Sequence, residues 1–190
     1  MQNTTTNNVG ETVYNSCYAE LEMKNQYDKV NISGNFTTHN LDSGSNVRLY
    51  NGVMSVTGNI WSDKGIYAPN DSSYNHKTIL SGKDKQSVTL NSSNKFNTLV
   101  LTKSLTNYTF KPNECWNSLM MIETGSGDCN LDGEVNVADA VMLQKWLLCA
   151  GSLDCWQAVD LCKDNRIDVF DLALLKRMIL TKQNNSLSAQ

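Results

Sequence analysis

From residue 12 to 123 apolar residues come in short pairs that alternate with polar ones, and no stretch holds a helical period. Such alternation predicts a succession of short β-strands. One signature recurs at constant spacing: Ile32-Ser33-Gly34 returns as Val56-Thr57-Gly58 and again as Leu80-Ser81-Gly82. After the glycine, Asn35-Phe36 returns as Asn59-Ile60. Further candidate strands lie at Val47–Tyr50, Val53–Val56, Ser87–Leu90 and Leu99–Thr102. One strand–turn signature per period of about 24 predicts stacked coils of a small β-solenoid. A compact β-sandwich is the alternative.

The pattern changes at Asp128. Asp128 to Leu148 reads DCNLDGEVNVADAVMLQKWLL, and Asp160 to Leu180 reads DLCKDNRIDVFDLALLKRMIL, a second copy of equal length. With the copies aligned end to end, Asp128 falls on Asp160, Asp132 on Asp164, Asp139 on Asp171, Lys145 on Arg177 and Leu148 on Leu180. Each copy opens on carboxylates and runs into apolar positions at helical spacing: Ala140, Leu143 and Leu147, then Leu172, Leu175 and Ile179. The predicted fold is therefore multidomain, β followed by α.

The carboxylate spacing carries chemistry. Calcium takes six to eight hard oxygens, and a twelve-residue loop supplies them from positions 1, 3, 5, 7, 9 and 12 around a turn at position 6. In the first copy these are Asp128, Asn130, Asp132, the Glu134 carbonyl, Asn136 and Asp139, with Gly133 at the turn. In the second they are Asp160, Cys162, Asp164, the Arg166 carbonyl, Asp168 and Asp171. Two calcium ions are expected. Cys162 is a poor ligand for a hard cation, so a backbone or water oxygen is expected to substitute there, with weaker binding. Asn165 replaces the turn glycine, and asparagine tolerates the left-handed conformation best after glycine. An acidic turn that merely caps a helix is the plainer alternative.

The duplicated loop, each copy followed by one helix that ends in a Lys/Arg-containing L-L or I-L, resembles the type I dockerin over about 55 of the 190 residues. The resemblance implies an extracellular module that plugs into a cohesin socket on the scaffoldin of a cellulosome. It implies contact with cohesin through Val137, Ala138, Gln144 and Lys145 in the first copy, and through Val169, Phe170, Lys176 and Arg177 in the second. Phe170 against Ala138 breaks the pseudo-symmetry, so one preferred orientation is expected. Val137, Val169 and Phe170 as core residues is the plainer reading. The first half, through HKTILSGKDKQSV, FNTLVLTKSLTNYTF and CWNSL, resembles a repeat of large extracellular clostridial and ruminococcal proteins. That resemblance implies a β-solenoid and a secreted setting, and no activity.

The expected organisation is a β-solenoid domain over 1–123 with a disordered polar tail at 1–8, a flexible linker at 124–127, a dockerin at 128–180 and a frayed tail at 181–190. A net charge of -3 and a pI near 5.3 argue against nucleic acid and against an anionic membrane surface. No apolar run reaches the roughly 18 residues of a membrane span. The start, MQNTTTNNVGETV, has neither the basic nor the apolar region of a signal peptide. Met1 accordingly reads as the start of a fragment, with an export signal expected further upstream. A monomer is expected.

Catalytic chemistry is not expected from 12–123. Its carboxylates are scattered, His39 and His76 stand alone, and no serine or cysteine sits in a nucleophile-elbow context. No catalytic residue is assigned. Trp61, Tyr67, Tyr74, Tyr108 and Trp116 could offer flat rings to a sugar, with Trp61 the most exposed; as an alternative they cap the coils or fill the core. The alternative function is thus a dockerin-bearing protein whose solenoid binds or degrades a polysaccharide. Six cysteines in a secreted chain suggest disulfides, with Cys149–Cys155 a candidate tight loop and Cys17–Cys115 a tie between the solenoid ends.

Overall fold

The computed structural model describes residues 4–6, 12–14, 20–39, 47–63, 66–69, 71, 73–91, 95–153 and 155–187, of which 4–6, 12–14 and 185–187 are described by backbone alone. Two compact units divide at Met120/Met121.

In the first unit β1 (Thr4–Thr6) and β2 (Thr12–Tyr14) pair antiparallel, with Thr5 opposite Val13. β-Branched threonines suit a strand, and β1 corrects the disordered reading of 4–6. The rest of that tail lies outside the described residues, as does Cys17.

The chain then winds in about four turns of a β-solenoid. The first coil carries β3 (Leu21–Met23), β4 (Lys29–Ile32) and β5 (Phe36–Thr38). The second carries β6 (Val47–Leu49), β7 (Val53–Val56) and β8 (Ile60–Ser62). The third carries β9 (Ile66–Tyr67), β10 (Lys77–Leu80) and β11 (Gln86–Leu90). The last has β12 (Phe96–Leu101) and β13 (Tyr108–Lys111), and β14 (Trp116–Met121) pairs on β12. Three sheets result, in the orders β3-β6-β9, β4-β7-β10-β12-β14 and β5-β8-β11-β13.

Register explains the repeat. Ile32 lies opposite Val56, Val56 opposite Leu80 and Leu80 opposite Leu101, all in parallel pairs. On the next sheet Phe36, Ile60, Val88 and Phe110 align in the same way. Met54, Val56, Leu80, Leu99 and Leu101 are fully buried between the sheets. Burying each such side chain contributes about 1.5–3 kcal/mol, which drives the stacking of strands too short to persist alone.

The glycine of each signature sits where the chain turns from one sheet to the next. A Cβ on Gly58 would lie 2.4 Å from the Gly34 carbonyl carbon, and one on Gly82 would lie 1.9 Å from Thr57 O. Only glycine lets successive corners approach that closely. Gln86 staples the corner: its Oε1 accepts from Gly82 N at 3.0 Å, and its Nε2 donates to Val56 O at 3.1 Å and Gly58 O at 2.7 Å. In the last coil Tyr108 replaces this device, its hydroxyl accepting from Thr102 N and Lys103 N and donating to Leu80 O. An asparagine ladder runs alongside: Asn35 Oδ1 accepts from Asn59 N, and Asn59 Oδ1 accepts from Ser87 N.

In the second unit, helices α1 (Val137–Leu147) and α3 (Val169–Leu187) pack on each other, with the four-residue α2 (Trp156–Val159) between them in sequence. Ala140, Leu143, Leu175 and Ile179 form the seam, closed by Cys129 and Val159. The sequence pattern did not mark α2. Helix α3 runs past Leu180 to Leu187, so the segment after the repeat is helical where fraying was expected.

Two further expectations change. The Glu123–Gly127 stretch is tied down, because Gly125 N donates to Gln157 O at 2.9 Å and Gly127 N donates to Ala158 O at 2.8 Å. No disulfide joins Cys149 to Cys155. Cys149 is exposed at a left-handed φ of 55°, while the buried Cys155 thiol donates to Gln157 Oε1 at 3.3 Å.

Candidate metal centres and docking faces

The two loops share their bonds at positions 1, 5, 9 and 12 and differ at position 3, where Asn130 bonds with Asp132 in the first and Cys162 donates to Asp160 in the second. Asp128 Oδ1 accepts from Asp132 N at 3.1 Å and its Oδ2 from Gly133 N at 2.9 Å. Asp160 Oδ1 accepts from Asp164 N at 3.1 Å and its Oδ2 from Asn165 N at 3.0 Å. Asp132 Oδ1 accepts from Glu134 N, and Asp164 Oδ1 accepts from Arg166 N, both at 2.8 Å. The turn residues take left-handed backbone in both loops, with φ 90° at Gly133 and 62° at Asn165. Asparagine does hold the glycine conformation here.

The twelfth residue of each loop is fully buried and gathers the loop ends. Asp139 Oδ1 accepts from Cys129 N at 2.7 Å and Asn130 N at 3.3 Å, and its Oδ2 accepts from Asn136 N at 2.8 Å. Asn136 in turn accepts from Ala138 N, completing a capping box that starts α1. In the second loop Asp168 Oδ1 plays that part, accepting from Phe170 N at 2.7 Å.

The donor set suits a hard divalent cation. Burial, first of all, raises the pKa of Asp128, and the neighbouring Asp139 and Asp132 carboxylates raise it further against the loop amides. In the second loop burial also opposes ionisation of Asp171, but hydrogen bonds from Asp168, Cys162 and Leu161 outweigh it and hold the carboxyl below its usual range. Among the described residues no Lys, Arg or His forms an ion pair with any of these carboxylates. A cation would relieve that crowding. Asp128, Asn130, Asp132, Asn136, Asp139 and the Glu134 carbonyl would hold it, and calcium supplies charge neutralisation and cross-linking of the loop.

The second set is less complete. Ligand atoms of Asp160, Cys162 and Asp164 lie within 4.8 Å of one another. Cys162 Sγ donates to Asp160 Oδ1 at 3.8 Å, and its thiol is pushed up to about 11, by desolvation first and then by Asp171 and Asp164. It is a neutral thiol at neutral pH, which offers calcium little.

The residues expected to meet a partner lie on the surface. Val137 is 58 % exposed, Val169 65 % and Phe170 69 %, which removes the core alternative for all three. Ala138, Gln144, Lys145, Lys176 and Arg177 reach the surface as well. Val141, Leu148, Leu174 and Leu180 add exposed apolar surface that the sequence reading missed. A signal was there: Leu148 follows Val137, and Leu180 follows Val169, by the same three helical turns. Phe170, Ala173, Leu174 and Arg177 also line an open depression of about 520 Å³ beside Cys162 and Asp164.

In the solenoid unit the expected aromatic residues do not form one surface: Tyr67 and Tyr74 both meet Tyr50, and the other three lie elsewhere. Tyr108 is buried, so it is not a surface ring, and its hydroxyl is used in the last corner. Trp116 packs edge-on against Phe110 at 4.7 Å. Trp61 points outward but is half-buried, its ring 4.7 Å from His39, which pairs with Asp63 at 3.4 Å. Tyr67 is the more exposed ring, at 45 %. His76 is buried, bonded to Asn51 O and Thr78 Oγ1.

Neither the curated proteins nor the solved structures contain a match to this chain. Residues 126–180 match the family model of the dockerin type I domain. That span covers both loops, α1, α2 and α3 up to Leu180, so the C-terminal unit carries a dockerin type I domain, a cohesin-binding module of a family that typically binds calcium.

Proposed function

We propose that this chain attaches its β-solenoid to a cohesin of an extracellular cellulosomal scaffoldin, with two calcium ions holding the dockerin in its docking form. The observation that carries the reading is the hydrogen-bond pattern that the two loops share at positions 1, 5, 9 and 12, beside two exposed apolar helix faces. Ions in the loops offset the repulsion between clustered carboxylates, and their binding energy becomes folding energy. The ordered helices then present Val137, Lys145 and Leu148 on one face, and Val169, Phe170, Arg177 and Leu180 on the other. The chain acts as a monomer and performs no catalytic step of its own. No helix among the described residues is long and apolar enough to cross a membrane.

Calorimetric titration with calcium, alongside capture on immobilised type I cohesins, tests this. Two sites, one lost in each of Asp132→Ala and Asp164→Ala, and capture abolished by EGTA are the expected results. Absence of calcium uptake, or capture indifferent to EGTA, would overturn the reading.

A further inference from the structure

Tyr50-Asn51 recurs one coil on as Tyr74-Asn75. The asparagines hold the stack: Asn51 Nδ2 donates to Lys24 O at 2.8 Å, and its Oδ1 accepts from Asn75 N at 3.0 Å. The tyrosines beside them are half-buried, their ring centroids 5.1 Å apart, close to the spacing of adjacent strands. Tyr67 sets its ring against Tyr50 at 5.9 Å, nearly edge-on. None of the three belongs to the buried core of the coils.

A polar row leads into this patch. Tyr67 stands opposite Arg48, and Arg48 opposite Glu22, across the three strands of one sheet. Arg48 is paired with Glu20, and Lys24 with Glu22 at 2.8 Å. Two cations and two carboxylates cancel, so the face is aromatic and hydroxylated but carries no net charge from these groups.

We propose that the Tyr50–Tyr67–Tyr74 face binds an uncharged polysaccharide. The C–H faces of pyranose rings match phenol rings, and sugar hydroxyls match the phenolic and paired ionic groups around them. Rings fixed by stacked coils lose little conformational entropy on binding. A uronate chain or a polyamine would meet no compensating field. The inference concerns the solenoid unit and stands or falls independently of cohesin docking.

The test is depletion of the full calcium-loaded chain from solution by insoluble β-glucan, xylan and mannan, with polygalacturonate and chitosan as charged counterparts. Retention on at least one neutral polysaccharide is expected. Tyr67→Ala and Tyr74→Ala should each weaken it about tenfold, and Tyr67→Phe by less than about threefold. Far-UV circular dichroism and calcium uptake should be unchanged in all three variants, which shows that both units are folded. Retention on none of the neutral polymers, stronger retention on a charged one, or indifference to both alanine variants would overturn the proposal.

Discussion

Asp139 and Asp171 hold equivalent places in their loops: one carboxylate oxygen of each accepts two amides from the loop start, and the other accepts the amide of position 9. Both side chains are fully buried. Each is therefore a structural tie as well as a proposed calcium ligand, and the two roles can be separated.

Asp139→Ala should destabilise the C-terminal unit even without calcium, because it strands the amides of Cys129, Asn130 and Asn136. Leaving a buried donor unmade costs about 1–3 kcal/mol, and with one amide buried and two part-buried a loss of about 2–3 kcal/mol is expected. Asp132→Ala removes an exposed side chain whose loop bonds, from Glu134 N and Asn130 Nδ2, are open to water, and should lower calcium affinity with less effect on the calcium-free fold. Thermal unfolding with and without EGTA checks this. Equal calcium-free Tm values for the two variants would contradict it.

Cys162→Asn should give the second loop the position-3 oxygen that Asn130 supplies in the first. Asparagine at position 3 restores a hard oxygen where the structure has a neutral thiol beside Asp160. The expected gain is about tenfold in the affinity of the second site, read by calorimetry, with the first site unchanged. A second site that does not tighten would show that Cys162 is already bypassed by a better oxygen.

Much of this architecture is legible in the chain. The duplication placed both loops and the helices that follow them, and the recurring glycine signature placed the corner between two of the solenoid sheets. Helix α2 was not legible: a single turn gives no period to detect. The sequence alone does not decide between surface and core for Tyr108, because its role is set by the missing glycine–glutamine staple of the last coil, a long-range substitution. The ETGSG stretch reads as a linker, yet its amides bond to the carbonyls of Gln157 and Ala158, beyond α1 in the chain. Local propensity carries no trace of such pairing.

Gln86→Leu should test the staple. It removes the side-chain partner of Gly82 N and Gly58 O, while Val56 O keeps its bond from Ser81 N. The solenoid unit should lose about 2–4 kcal/mol by chemical denaturation, while calcium uptake by the other unit is unaffected. A loss under about 1 kcal/mol would mean that water replaces the amide.

His76 gives the solenoid a pH dependence. Burial is the chief cause that lowers its pKa from 6.5 to about 4, against the opposing bond to Asn51 O. The folded state thus keeps the ring neutral while the unfolded chain takes up a proton below 6.5. Stability from this group is complete above that value and declines as pH falls towards 4, by about 3 kcal/mol in all. The difference in denaturation free energy between pH 7 and 4.5 should be smaller in His76→Gln than in the native chain. Parallel pH profiles for the two would refute the assignment.

The two docking faces are not equal, and the inequality predicts how a cohesin sits. Phe170 occupies the place that Ala138 holds in the first copy, and it flanks a depression of about 520 Å³ with Leu174 and Arg177. A large exposed ring beside a cavity is where binding energy concentrates. Phe170→Ala should therefore weaken cohesin capture by about thirtyfold, the equivalent of about 2 kcal/mol. Val137→Ala removes a smaller exposed side chain and should cost less than about threefold. Surface plasmon resonance on calcium-loaded chains separates the cases. Equal losses from both substitutions would mean that the partner uses the two faces interchangeably, as the internal duplication alone would allow.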